Sequence, residues 1–348
     1  MSAPHSLPLE TFIAPFLPDC EELALALLNL PNPHVPAGVT RPAGQELLTA
    51  MCRDQFASGG KRLRALLTPA IVAAADGPVA GARVFGAGVE LIHNGTLVHD
   101  DIQDGDTLRR GRPTLWTQFG VAQGINAGDA LLMGAVAGVL RSPEIPEDLR
   151  ASLVGLLAEA LCETIRGQVA DLALRELPQP SLLDVESVHL AKTGPLFSAC
   201  FVAAVRLLRR GAVAERAAFE LGREIGLAFQ IRDDLLDLLG TKGRGDAGAD
   251  LREGKPTWPV LVALRDTPGP EADAIRALLR HATQGSPPSD AEVAHAVAWV
   301  RAAGGGATAQ AHLAATLDRA RAAAALAFDV PAADVALALC DRLARLDG

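Results

Sequence analysis

The stretch ELIHNGTLVHDDIQDGDTLRRGRPT, residues 90–114, decides how this chain reads. It contains Asp100-Asp101-Ile102-Gln103-Asp104, and the same DDxxD pattern returns as Asp233-Asp234-Leu235-Leu236-Asp237. Both copies sit inside long apolar runs. On a helix, residues i, i+1 and i+4 share one face. Each copy is therefore expected to gather three carboxylates at one spot, where they repel each other until protons or cations arrive. Oxygen-only clusters suit Mg²⁺, which keeps several waters and shares itself with substrate phosphates. Two facing clusters predict a cavity that holds a diphosphate through bridging metal ions.

The helical wheels around both copies support a cavity rather than a wet surface. His93, Thr96, Asp100 and Asp104 form one polar stripe, with Leu91, Ile92, Val98 and Ile102 on the other faces. Gln230, Asp233, Asp234, Asp237 and Thr241 form a second stripe amid Ile231, Leu235, Leu236 and Leu238. A polar stripe on an otherwise apolar helix faces a lined cavity.

A diphosphate also needs cations from the protein. Gly59-Gly60-Lys61-Arg62-Leu63-Arg64 supplies three, after two glycines that let the chain turn into a helix. Arg offers phosphate a bidentate fork and Lys a compact charge. Arg109-Arg110-Gly111-Arg112 follows the first acidic copy, and Lys192-Thr193-Gly194-Pro195 and Asp250–Thr257 bring further polar groups.

The remainder of the chain is helical in pattern. Apolar residues recur at helical spacing over 21–30, 86–104, 127–140, 149–175 and 214–239. Proline and glycine mark the breaks at 31–42, 111–113, 143–146, 178–180, 240–248 and 285–288, and Gly304–Gly306 predicts a loop between late helices. No linker divides the 348 residues, so the expectation is one all-α domain with a variable segment over about 1–45. A net charge of -9 argues against nucleic acid held by phosphate neutralisation. Five scattered cysteines (Cys20, Cys52, Cys162, Cys200 and Cys340) without a CxxC read as reduced thiols, not a disulfide frame or zinc site. The N-terminal residues lack a signal-peptide pattern, and no uncharged apolar stretch is long enough to span a bilayer. A cytoplasmic protein with no transmembrane segment is expected.

Taken together, these pieces resemble the trans-isoprenyl diphosphate synthases, or polyprenyl synthetases. GGKRLR (59–64), the 90–114 stretch, NAGDALL (126–132), GQVADL (167–172), KTGPLF (192–197), FQIRDDLLDLLG (229–240) and DLREGKPTWPV (250–260) follow the family's order. The resemblance implies an all-α fold of about ten or more helices around a deep central cavity, usually as a homodimer. It implies the head-to-tail joining of isopentenyl diphosphate to an allylic diphosphate (dimethylallyl, geranyl or farnesyl), with Mg²⁺ as cofactor and Mn²⁺ as a substitute. Asp100, Asp101, Asp104, Asp233, Asp234 and Asp237 would hold the metal ions. Arg109, Lys192 and Lys255 would hold the allylic diphosphate. Gly60, Lys61, Arg64, His93 and Arg110 would hold isopentenyl diphosphate, and Thr193 and Gln230 would lie near the reacting carbons. Gln168 and Asp171 match a GQxxD element near the metal site. His99 is read as a hydrogen-bond partner of a carboxylate. The family's loop lysine is replaced here by Gly245, with Lys242 or Arg244 as possible substitutes.

Product length is read from the helix leading to Asp100. Gly95 and Thr96 lie one turn below it and carry no large aromatic, so this floor is expected to be open. Leu91 and Ile92 lie two turns below, and Gly88 about 18 Å away. This reads as a C20 or longer product, with Leu91, Ile92, or Met133 and its neighbours as the stop. GQVADL resembles geranylgeranyl synthases. The alternatives are a C25–C40 or farnesyl diphosphate synthase, a class I terpene cyclase, and a noncatalytic partner subunit. A cyclase has no need for the isopentenyl cations, and a noncatalytic subunit typically lacks one acidic cluster.

Overall fold

Apolar residues at helical spacing, punctuated by proline and glycine, build sixteen α-helices among the described residues. The computed structural model describes residues 7–29, 44–175, 177–240 and 247–346. The helices are α1 (Leu9–Ile13), α2 (Cys20–Leu28), α3 (Gly44–Ala57), α4 (Leu63–Ala74), α5 (Val79–Asp104), α6 (Leu115–Phe119), α7 (Val121–Arg141) and α8 (Glu147–Leu174). They continue with α9 (Leu182–Leu207), α10 (Ala212–Leu239), α11 (Ala249–Arg252), α12 (Trp258–Asp266), α13 (Pro270–Thr283), α14 (Asp290–Ala302), α15 (Gly305–Ala327) and α16 (Ala332–Ala344). The chain is all-α, as expected.

Six long helices, α5, α7, α8, α9, α10 and α15, carry the architecture. α9 is the central one: α8, α10 and α4 pack on it, and α5 reaches it as well. α7 lies along α5, and α15 covers the outer side of α10. Buried apolar side chains form one continuous cluster from Leu9 to Leu343. By length and composition α9 alone among the described helices could cross a membrane, but 72% of its most apolar window is buried in the fold. It is apolar because helices surround it.

The helix ends depart from the sequence reading in two places. Gly304–Gly306 is not a loop: only Gly304, at φ +78°, breaks the chain, and α15 begins at Gly305. Gly305 is there because a Cβ would lie 2.3 Å from the Pro259 carbonyl oxygen. α9 runs unbroken through Pro195, in a segment marked as a polar motif and not as part of a long helix. The Pro31–Pro42 break and the loop residues Thr241, Lys242, Arg244 and Gly245 lie outside the described residues.

Both acidic motifs end their helices. Asp104 is the last residue of α5, and Asp237 lies two residues before the end of α10. Gly105 (φ +72°) and Gly240 (φ +75°) then turn the chain left-handed, which stops each helix directly after its motif. Six carboxylates thus stand at the negative ends of two helix dipoles, where cations are favoured.

Candidate active site

The first motif meets its cations through a tight hairpin. β1 (Leu108–Arg109) pairs antiparallel with β2 (Arg112–Pro113), leaving Arg110 and Gly111 as the two turn residues. Both have positive φ (52° and 76°), the geometry that suits a two-residue turn to strand twist. The hairpin sends its two arginines to different partners. Arg109 Nε donates to Asp101 Oδ1 at 2.7 Å. Arg110 donates to the Gly59 carbonyl and lies across Gly60, where a Cβ would sit 2.6 Å from its Nη1. Gly60, at φ +141°, thus allows both the turn and the close approach.

The GGKRLR turn is anchored from below. Arg62 has φ +48° and is buried. Its guanidinium donates to Glu90 Oε1 (3.0 Å), Glu21 Oε1 (2.9 Å) and the Phe56 carbonyl (2.5 Å). Arg64 is different. Its guanidinium stacks over Phe197 (4.5 Å to the ring centre) and Phe229 (5.6 Å), and Nη1 lies 3.4 Å from His93 Nε2. Its Nε is buried without a partner, and among the described residues no carboxylate forms an ion pair with it. Burial, with Arg64 and Arg110 nearby, holds His93 well below the usual histidine range, so the imidazole is neutral at pH 7.

α8, α9 and α10 supply the opposite wall. Lys192 Nζ donates to Asp171 Oδ2 at 2.7 Å, and Gln168 Nε2 donates to Gln103 Oε1 at 2.8 Å, tying α8 to the first motif. Arg175 Nη2 donates to Asp104 Oδ1 at 3.0 Å and lies 3.8 Å from Asp171. Gln230 Nε2 donates to Thr193 Oγ1 at 2.6 Å. That bond depends on glycine: a Cβ at Gly226, one turn before Gln230, would lie 2.5 Å from Gly194 Cα. The missing side chain at Gly226 therefore lets α10 approach α9 closely enough for Gln230 to reach Thr193.

At the second motif Asp233 is half-buried, while Asp234 and Asp237 are buried. Asp234 Oδ2 accepts from the Trp258 amide (3.0 Å) and lies 3.8 Å from His189; Asp237 Oδ2 accepts from the Asp250 amide (3.2 Å). Trp258 stacks on His312 with ring centres 4.6 Å apart. Lys255 is 2.5 Å from Glu253 and 3.8 Å from Asp250. Burial works against its charge, but those two carboxylates outweigh it and hold the ammonium above the usual lysine range.

Both motifs thus differ from the expected picture of three carboxylates gathered at one spot. Among the described residues, no three acidic, histidine or cysteine side chains converge closely enough to hold an ion unaided. Asp101, Asp104, Asp234 and Asp237 already have protein partners. Asp100 does not share that relief: burial pushes its carboxyl up to about 6, against the pull of Lys192. An oxygen-only donor set with few carboxylates to spare still fits Mg²⁺, which takes one or two carboxylates and fills its shell with water and phosphate oxygens.

The open floor expected below Asp100 is corrected. A Cβ at Gly95 would lie 2.8 Å from Leu132 Cδ2 and 3.0 Å from the Gly128 carbonyl oxygen. Gly95 therefore admits α7, and the Leu132 side chain fills the space. Gly88 does the same against Val139 (2.8 Å). Leu91 and Ile92 are fully buried, while Thr96 remains half-buried on the stripe with His93 and Asp100. Met133 is 62% exposed and cannot be a floor; its neighbour Leu132 can. His99 also faces α7, 3.3 Å from the Ile125 carbonyl and 3.6 Å from Asp129, so its carboxylate partner is not in the first motif. Sequence reading counted Arg62 among the phosphate cations, whereas Glu21 and Glu90 already engage it, and it missed Arg175, His189 and Trp258. The two arginines carried a charge signal, but their carboxylate partners are distant in sequence; Asp234 is engaged by a backbone amide that no pattern reveals.

Two acidic helix ends facing basic turns, on an all-α frame, define a prenyltransferase of the trans type. The polyprenyl synthetase family matches residues 45–298, and the chain belongs to that family. It is 38% identical over 256 residues to the geranylgeranyl diphosphate synthase of Mycobacterium tuberculosis, covering 73% of this chain and 71% of that protein. It is 36% identical over 305 residues to the nonaprenyl diphosphate synthase of the same organism, covering 85% and 86%. A polyprenyl synthase from Caulobacter crescentus, solved with calcium and isoprenyl diphosphate, superposes with a TM-score of 0.79 at 28% identity, covering 97% of each chain.

Proposed function

We propose that this prenyltransferase condenses isopentenyl diphosphate with an allylic diphosphate, head to tail, and that its main product is all-trans geranylgeranyl diphosphate. Arg64 carries the reading: a guanidinium held over two aromatic rings, with no carboxylate in ion-pair contact among the described residues, is a place prepared for an anion. With Gly60, Lys61, His93 and Arg110 around it, that anion is isopentenyl diphosphate. Arg109, Lys192 and Lys255 take the allylic diphosphate, close to the six aspartates. Asp100, Asp101, Asp104, Asp233, Asp234 and Asp237 would hold the metal ions, with water and phosphate oxygens filling the rest of each shell. Bound Mg²⁺ supplies Lewis acidity for departure of the allylic diphosphate. Thr193 and Gln230, locked to each other, border the reacting carbons, and the apolar wall excludes water that would quench an allylic cation. Proximity of the two substrates does the rest.

Two features support the assembly and location proposed for the chain. Val121, Ile125, Met133 and Leu140 on α7 and Ile165 and Val169 on α8 are exposed apolar residues, a face suited to a homodimer. Among the described residues, the one helix long and apolar enough to cross a bilayer is mostly buried in the fold, which supports an enzyme without a membrane span.

Incubation with Mg²⁺, labelled isopentenyl diphosphate and separate C5, C10 and C15 primers, followed by dephosphorylation and chain-length analysis, tests the product. A dominant C20 alcohol is expected. A C30–C40 ladder or a C15 stop would reject the C20 assignment within the same class.

A further inference from the structure

The second acidic motif is tied to a helix that lies behind it. Asp234 Oδ2 accepts from the Trp258 amide at 3.0 Å, and Trp258 is the first residue of α12. Thr257, at the N-cap of α12, makes no side-chain capping bond, so the Asp234 carboxylate on α10 supplies the cap. His189 Nε2, 3.8 Å from the same oxygen, is beyond hydrogen-bond range. The placement of Asp234 therefore depends on where α12 begins.

The Trp258 side chain sets that place. A buried indole usually finds a partner for its N–H. Here the ring is buried, yet its Nε1 has no hydrogen-bond partner among the described residues. His312 on α15 holds it instead, stacked face to face with ring centres 4.6 Å apart and planes 7° apart. His312 Nε2 lies 3.5 Å from Glu186 Oε2 on α9, which steadies the imidazole from its other side. Burial pushes that imidazole below the usual histidine range against the pull of Glu186, so the stack joins two neutral rings at pH 7. Earlier on α15, Gly305 admits the Pro259 carbonyl. α15 thus grips the start of α12 at two points.

We propose that His312 is a positioning residue for the second acidic motif: by clamping the Trp258 ring it fixes the amide that orients Asp234, and so sets how strongly the motif takes metal-bound diphosphate. This rests on the synthase reading above. Without the imidazole the indole is free to turn, the amide shifts, and the Asp234 carboxylate loses its directed bond.

The test is the melting temperature of the full chain, recorded against Mg²⁺ at one fixed concentration of inorganic pyrophosphate. The midpoint of its rise reads binding without turnover. His312→Ala should move that midpoint to about fivefold more Mg²⁺, as for a hydrogen bond to a charged group that is weakened and not removed. His312→Phe keeps a flat ring for the stack and should restore the wild-type midpoint. Leu317→Ala, at a buried position on the same helix, should lower the metal-free melting temperature and leave the midpoint in place. An unchanged midpoint in His312→Ala, or an equal shift in Leu317→Ala, would overturn the positioning role. Failure of His312→Phe to restore it would overturn the stack as its means. Elongation by the wild-type preparation separates the two readings: an active synthase with an unmoved midpoint in His312→Ala rejects the role of His312 alone.

Discussion

At the scale of single residues, charge without compensation is the recurring sign of function. Arg64 is one case. Replacing it with alanine should raise KM for isopentenyl diphosphate, with a loss in kcat/KM of about 10–100-fold and little change in KM for the allylic primer. Steady-state kinetics with each substrate varied in turn checks this, and equal effects on both substrates would remove Arg64 from the isopentenyl site. Asp100 is the second case. Its folded-state carboxyl sits at about 6, above the ordinary value of 3.8 given by its side chain alone. Between those values the folded state holds the extra proton, so stability falls as pH rises from about 4 to about 6. Without metal, Asp100→Asn should therefore raise the melting temperature by about 1–3 °C at pH 7, from about 1–2 kcal/mol, and by nothing near pH 4. The aspartates were legible because two identical motifs stand out in an apolar context. Partners such as Arg175 and the Trp258 amide were not, because the fold alone brings them to Asp104 and Asp234.

At the scale of elements, glycines set helix spacing and so decide what meets in the cleft. Gly226→Val should push α10 off α9, part Gln230 from Thr193, and lower kcat. Such overpacking costs about 1–3 kcal/mol. Thermal melts and kcat together test it, and a normal kcat would mean that the Thr193–Gln230 bond is dispensable. Gly95 illustrates what sequence could not settle. Its place one turn from Asp100 was readable, but whether it faced a cavity or a neighbouring helix depended on α7. Because Leu132 fills that space, Leu132→Ala should lengthen the product by one or more C5 units, while Thr96→Phe should shorten it. Chain-length analysis of both variants decides, and unchanged products would place the floor elsewhere. The long helices α5, α8 and α10 were visible from their periodicity. α9 was not foreseen, because its KTGPLF segment was read as a polar motif, whereas the helix runs on through Pro195.

At the scale of the whole molecule, the fold holds acidic helix ends and basic turns in one cleft although their charges attract and tend to cancel. Much of that cancellation is already visible, in Arg109 with Asp101 and Arg175 with Asp104. Substrate and metal must compete with it, which predicts cooperative binding: Mg²⁺ and diphosphate together should raise the melting temperature by more than the sum of each alone. A simple sum would argue that the two occupy separate places. The most direct test of the central claim is incorporation of labelled isopentenyl diphosphate into an allylic primer, measured with Mg²⁺ and again after chelation. The synthase account predicts one elongated all-trans diphosphate chain with metal and none without it. Primer converted to cyclic hydrocarbon, or no incorporation with any primer despite Mg²⁺, would contradict it.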